Sequence, residues 1–365
     1  MLRDDVAADR CGVCRLVLLL LTSALAGCTG FGPHTLSYQQ ADYAAALANA
    51  GKRQTLLNIV KLRYGDVPAF VTVNQILAGY SLQGTVSVGT EVLTGGSFQL
   101  SDDANVGLGG TFTNSPTITY APVTGADFAR TFLAPLQPAD LFGLMLSSVP
   151  PELVLGLGLH SMGPYNNERA TADAQLPPDP MFTEVLALLL ELQRAGRLPI
   201  QLAVGSRERV ASVKIGPGAT EDSPERRLRS LLALPADREN FEIIYSLGGA
   251  RPGEIPIRTR SLLEVMGQIA ADIVVPEGDV RDGRTDGGDH AADGGDWLRL
   301  PHVHIRHGLF EPRDAFAAVP YDGDWFWIAN SDFGSKRVFS FVMLLLSLSE
   351  SSRPGQAPVI TIPAG

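Results

Sequence analysis

The chain has 365 residues, 45% hydrophobic and 19% charged, which supplies an ordinary globular core over roughly two domains. Its formal net charge is −10 and only four lysines occur, Lys52, Lys61, Lys214 and Lys336, none in a basic run. Phosphate binding needs clustered Lys and Arg, so this balance argues against nucleic acid as a partner. All three cysteines, Cys11, Cys14 and Cys28, precede residue 29. Cys11-x-x-Cys14 therefore lacks the second ligand pair that a zinc site requires.

The first element is a leader. Arg15 precedes Leu16–Leu21, and small residues (Ala24, Ala26, Gly27) follow before Cys28. The apolar stretch is about ten residues, whereas a spanning helix needs about 20, so it reads as the core of a signal peptide over residues 1–27. Leu25-Ala26-Gly27-Cys28 resembles the bacterial lipobox. The resemblance implies cleavage before Cys28 and acylation of that residue. Each buried CH₂ of the added chains contributes about 0.8 kcal/mol, and several chains hold a protein on a bilayer without a spanning helix. Thr29, rather than Asp, after the cysteine is similar to Gram-negative lipoproteins sent to the outer membrane, facing the periplasm. Asp4, Asp5 and Asp9 do not suit a basic leader, so translation is expected to start downstream, at Val13.

Residues 28–165 are expected to hold a helix, a β-hairpin and a helical region. After a short tether the Ala-rich stretch to residue 50 becomes helix. Leu56, Leu57, Val60 and Tyr64 continue it at helical spacing, and Gly65 stops it. The period then changes to two. Val86, Val88, Val92, Phe98, Leu100, Val106, Leu108 and Phe112 fall on even positions, with mostly Ser, Thr, Gly, Gln and Asn between them. This is a Gly-rich antiparallel hairpin over about residues 82–113. It suits a soluble sheet or a membrane hairpin, where about 9–11 residues per strand are enough to cross. "PTITYAPV" is another strand. Thr124-x-x-Asp127 resembles a capping pair opening a helix, and "PADLFGLMLSSV" and "PELVLGLGLHSM" are two more helices. Residues 164–178 read as a linker.

Residues 179–365 alternate helices, strands and hairpins, so the fold class is α+β. Asp179-Pro180 and Ser261-x-x-Glu264 are helix starts, and Asp322-Gly323 is a hairpin turn. Residues 276–297 form an acidic, Gly-rich insertion expected to be a disordered loop. "APVITIPAG" at 357–365 is expected as a last strand.

Candidate chemistry is sparse. His302, His304 and His307 form H-x-H-x-x-H, but on a strand His307 points away from the other two. A polar strand face is the expected role, with no metal. Asp282, Asp286, Asp289, Asp293 and Asp296 lack the spacing and the closing Glu of a calcium loop. Ser161 follows Leu159 at the place where a nucleophile elbow needs Gly. No phosphate-binding glycine motif occurs, so no cofactor is expected. Trp325 and Trp327 alternate with Phe326 and, with Tyr321, form the candidate interaction surface.

Five stretches, "NIVKLRYGDVPAF" (58–70), "PTITYAPVTGADFARTFLAP" (116–135), "IRTRSLLEV" (257–265), "WFWIANSDFGSKRVFSF" (325–341) and "APVITIPAG" (357–365), resemble an uncharacterised family of predicted Gram-negative lipoproteins. The resemblance implies a location and no catalytic residue. The leading expectation is a non-enzymatic structural or interaction lipoprotein, anchored by Cys28, with protein partners in an envelope assembly or transport complex. The alternative is a homo-oligomeric channel component that contributes the 82–113 hairpin to a membrane barrel. A weaker one is an envelope hydrolase using the three histidines.

Overall fold

The computed structural model describes residues 33–77, 80–89, 105–114, 117–147, 149–167, 178–204, 209–286 and 302–351. The expected leader, Cys28, Asp289, Asp293, Asp296 and the terminal strand lie outside the described residues. The fold is α+β.

Helix α1 (Pro33–Arg63) has 31 residues and is about 46 Å long. Its residues 41–50 are mostly exposed, and burial begins at Thr55, Leu56, Ile59 and Val60. Gly65, at φ 73°, ends the turn that follows. Strand β1 (Val71–Leu77) and β2 (Tyr80–Gly89) run out from the body, and β3 (Asn105–Asn114) and β4 (Thr117–Pro122) return. Helix α2 (Gly125–Phe128) continues as a π-turn over Ala129–Leu133. Thr124 stands at its N-cap but makes no side-chain cap bond, so the expected capping pair does not form. Asp127 faces Arg130 instead, at 3.8 Å on the surface.

Helices α3 (Pro138–Met145) and α4 (Pro151–Gly158) are largely buried. The helix expected to run through residue 162 ends at Gly158, because Leu159–Met162 is claimed by a sheet as β5. Tyr165–Asn166 is β6, so the expected linker begins inside the fold. Helix α5 (Pro180–Arg194) starts as expected, with the Asp179 carboxylate accepting from the Met181 N–H at 2.8 Å. Strands β7 (Ile200–Val204) and β8 (Arg209–Lys214), helix α6 (Pro224–Leu231), and strands β9 (Asn240–Tyr245) and β10 (Glu254–Thr259) follow.

These strands form a six-stranded mixed sheet in the order β6-β5-β10-β9-β8-β7. Only β9 and β10 are parallel; the other neighbours are antiparallel. Strand β5 pairs Ser161 with Arg258 and Met162 with Ile257. The expected division near residues 165–179 therefore does not separate two cores: a ladder crosses it, and one buried cluster runs from Leu56 to Leu346.

Helix α7 (Leu262–Ala271) opens on the expected capping box, with the Ser261 side chain bonded to the Glu264 N–H and the Glu264 carboxylate to the Ser261 N–H. The acidic stretch departs from expectation at its start: Glu277–Arg281 is a short helix, α8, with Asp279 buried. A three-stranded sheet, β11 (Arg306–Gly308), β13 (Asp324–Ala329) and β12 (Ala315–Tyr321), follows in that spatial order. Asp322 and Gly323 have φ 47° and 93°, the left-handed pair that a two-residue hairpin turn requires. Helix α9 (Phe333–Ser351) closes the described chain and buries Val338, Phe339, Phe341, Val342, Leu345 and Leu346. Among the described residues no helix is long and apolar enough to cross a membrane.

Candidate functional site

The feature that stands apart from the globular body is the ribbon built by strands β1, β2, β3 and β4. Strand β1 pairs with β4 over six positions and β2 with β3 over ten. Leu77 is opposite Thr117 and Tyr80 opposite Asn114, three residues on in one strand and three back in the other, so a single register runs through both. A bulge between Val73 and Gln75 interrupts it near the root. The register sets Val86 opposite Leu108, Val88 opposite Val106 and Leu82 opposite Phe112, so the apolar even positions of the two strands coincide. Among the described residues the β2–β3 and β1–β4 pairs remain two-stranded and no third strand joins either. An isolated two-stranded ribbon is marginal in water and leaves both edges open. No Asp, Glu, Lys, Arg or His occurs in 67–90 or 104–126; Glu91, Asp102 and Asp103 lie between the strands.

The body grips this ribbon at its root through α1. Asn58 is 1% exposed. Its side-chain amide donates to the Ala69 carbonyl at 2.8 Å and accepts from the Ala69 N–H at 2.9 Å. Gln54, one turn earlier on the same face, does the same to Val71, at 3.2 and 3.1 Å. Two amides four residues apart on a helix thus satisfy backbone groups two residues apart on an extended strand, as a neighbouring strand would. The Phe70 carbonyl accepts from the Val123 N–H, and the Phe70 ring stacks on Phe132 at 3.9 Å. Asn58 and Gln54 hold the ribbon root and are positions that sequence reading missed; a polar residue within the apolar stripe of an otherwise buried helix face was the available signal.

The candidate aromatic surface divides. Phe326 is buried, and Trp325 and Trp327 are half-buried on the opposite face, as the alternation predicts. Tyr321 is engaged within the chain. Its hydroxyl donates to Asp66 and its ring lies 5.0 Å from that of Tyr64. The Tyr64 hydroxyl donates to the buried Asp279 at 2.7 Å, and Arg284 bridges Asp279 (3.5 Å) and Asp322 (3.0 Å). Thr285 donates to the Arg63 carbonyl and Arg63 to the Asp286 carbonyl. Burial, and then the bond to Asp279, raises the Tyr64 pKa; burial, and then the bond to Asp66, raises that of Tyr321. Both phenols are neutral donors. Around an open depression of about 410 Å³, these side chains form a clasp that ties the start of the acidic stretch to α1 and to the β12–β13 turn.

The three histidines do not converge. His302 Nδ1 lies 3.0 Å from Asp272, His304 Nδ1 lies 3.1 Å from Asp332, and the His307 ring faces Phe326. His302 and His304 precede β11 and are not part of a strand. The Ser335 hydroxyl, which is buried, donates to Asp332 and accepts from the backbone N–H of His304, so the imidazole does not activate it. Among the described residues no group of three or more His, Cys, Asp or Glu is arranged to hold a metal. Asp282 lies 3.9 Å from Arg284, and Ser161 is buried inside β5.

No protein-family model, no curated protein and no solved structure matches the chain.

Proposed function

We propose that this protein is a lipid-anchored envelope component that assembles into a homo-oligomer through its ribbon, each copy contributing β2 and β3 to a shared membrane barrel. The observation that carries this reading is an uncharged, ten-pair ribbon that no third strand joins among the described residues, held at its root by Asn58 and Gln54. Ten residues of antiparallel strand span about 34 Å, and a hydrocarbon core is about 30 Å thick. In lipid every backbone group must be paired, so open ribbon edges are tolerated there only if copies close a ring. Even-position Leu, Val and Phe would face lipid, and odd-position Ser, Thr, Gln and Gly would face a lumen. The smallest such barrels have about eight strands, so about four copies is the lower bound. Acylation at Cys28 would hold the body at the outer membrane's periplasmic face, with the α1 stretch that includes the mostly exposed residues 41–50 as a stalk.

The test is native mass in mild detergent together with dye release from liposomes. Wild type is expected as an oligomer that releases dye. Val86→Asp with Leu108→Asp is expected to give a folded monomer that does not. A wild-type monomer whose hairpin is cut by protease would end this reading.

A second reading, a scaffold without a pore, is supported by Leu309 and Phe310, 72% and 84% exposed directly after the strand that pairs Gly308 with Trp325. It requires Phe310→Ser to release a co-purifying envelope protein without changing oligomer size.

A further inference from the structure

We propose that the chain's own residues Pro358–Pro363 lie as a third strand on the edge of β1 that no other described strand pairs, in the groove between α1, α9 and the ribbon root. The groove has a volume of about 410 Å³ and is walled by Leu47, Phe70, Val73, Tyr120, Met343 and Leu346. Leu47 and Tyr120 are 36% and 57% exposed, so apolar surface is left open at the place where the ribbon leaves the body.

The edge itself is prepared for a strand. Pro122, opposite Val71, has no N–H, and the ladder bond falls one residue earlier, from the Val123 N–H to the Phe70 carbonyl. The N–H and C=O of Val71 therefore turn away from β4, and the Gln54 amide takes both. Two residues further along, the alternation brings the N–H and C=O of Val73 to the same outward direction, in the wall of the groove. Strand edges of this kind are covered in native proteins, and an extended peptide is the natural cover.

The occupant follows from where the chain goes next. Met343, Leu346 and Ser347 of α9 line the groove, and α9 ends at Ser351, about one turn beyond. Pro358 is seven residues on, within about 23 Å of Ser351 when extended. Ser352-Arg353-Pro354-Gly355-Gln356 is a polar tether, and Val359-Ile360-Thr361-Ile362 is an uncharged β-branched run. Prolines on both sides, at 358 and 363, cannot donate to a ladder, which limits the added strand to about four residues. A cover of that length closes the root edge and leaves β2 and β3 free, so the inference stands whether or not copies assemble through the ribbon.

The test is disulfide trapping in the full-length lipoprotein in detergent. Val73→Cys is combined in turn with Val359→Cys, Ile360→Cys, Thr361→Cys and Ile362→Cys and oxidised with copper phenanthroline. A paired strand presents alternate residues to one face, so efficient cross-links within one chain are expected at two alternate positions and not at the two between. Absence of a cross-link at all four, or cross-links only between chains, would overturn the proposal. Hydrogen exchange gives an independent reading. Deleting 358–365 is expected to speed exchange at the Val73 amide by tenfold or more while α7 is unchanged; an unchanged Val73 amide would overturn it as well.

Discussion

Arg260 is the largest fully buried side chain among the described residues, at 2% exposure. Its guanidinium donates to the carbonyls of Leu157 (3.1 Å), Gly156 (3.4 Å), Leu159 and Asn167. Its backbone N–H donates to Gly158 at 2.8 Å. One side chain thus closes the C-terminal end of α4, where helical carbonyls lack intrahelical partners and a cation is favoured. Replacing it by Met keeps the apolar stem and the backbone bond to Gly158 and removes every guanidinium donor. Gly156 and Leu159 keep a bond from the Asn167 amide, at 2.9 and 2.8 Å, whereas Leu157 and Asn167 lose the guanidinium outright. Each orphaned buried carbonyl costs about 1–3 kcal/mol, so two cost about 2–6 kcal/mol. Removing a buried charge offsets part of this, because desolvating an ion is itself expensive. The expected net loss for Arg260→Met is about 3 kcal/mol, a large fraction of a typical 5–15 kcal/mol stability. Arg260→Lys should recover part of it, since an ammonium cannot reach both carbonyl sets that the planar fork serves. Urea unfolding measures it as a lower midpoint at unchanged slope. A loss under about 0.5 kcal/mol for Arg260→Met would refute this account of the α4 terminus.

Asn58→Leu should cost about 2–4 kcal/mol, because both peptide groups of Ala69 lose a buried partner; faster hydrogen exchange at residues 69–71 reports it directly. Asp332 caps α9 by accepting from the Ser335 N–H at 3.0 Å, a bond Asn would keep. Its second oxygen also accepts from the buried Ser335 hydroxyl at 2.8 Å, so Asp332→Asn should lower the urea midpoint by the equivalent of about 1 kcal/mol. The Ser335 N–H first, then its hydroxyl and His304, hold the Asp332 carboxyl below its usual range against burial. A depressed native pKa stabilises above the unfolded value of about 3.9 and loses that contribution as pH falls through the native one. The gap between wild type and Asp332→Asn should therefore close on acidification below about pH 4, and a gap that widens there would reverse the sign. Gly323→Ala, at φ 93°, should cost about 1 kcal/mol by thermal melting, whereas Gly248→Ala, in open space and with no left-handed φ, should change it by less than about 0.5 kcal/mol.

Features whose energetics close within a few residues were legible from the order of amino acids. The Ser261–Glu264 box, the Asp179–Pro180 start and the Asp322–Gly323 turn each satisfy their own backbone groups or φ angles locally, whatever surrounds them. Period two likewise announced strand at β2 and β3 and the opposed faces of Trp325, Phe326 and Trp327. Thr124 marks where local reading fails, since a cap-forming residue type has a bond only if the turn geometry presents the N–H to it. Leu159–Met162 continues an apolar run that reads as helix, and only the pairing with β10, nearly a hundred residues away, makes it strand. Asn58 and Gln54 acting as a strand, Tyr64 reaching Asp279, and Arg260 closing a helix end are all polar groups in a core. Sequence alone assigns a buried polar residue no partner, because the partner is whichever unsatisfied group the assembled fold leaves within 3 Å. The ribbon shows both sides of this. Its alternation is written residue by residue, but which strand pairs with which is decided by the sheet topology, which among the described residues brings no third strand to β2 and β3.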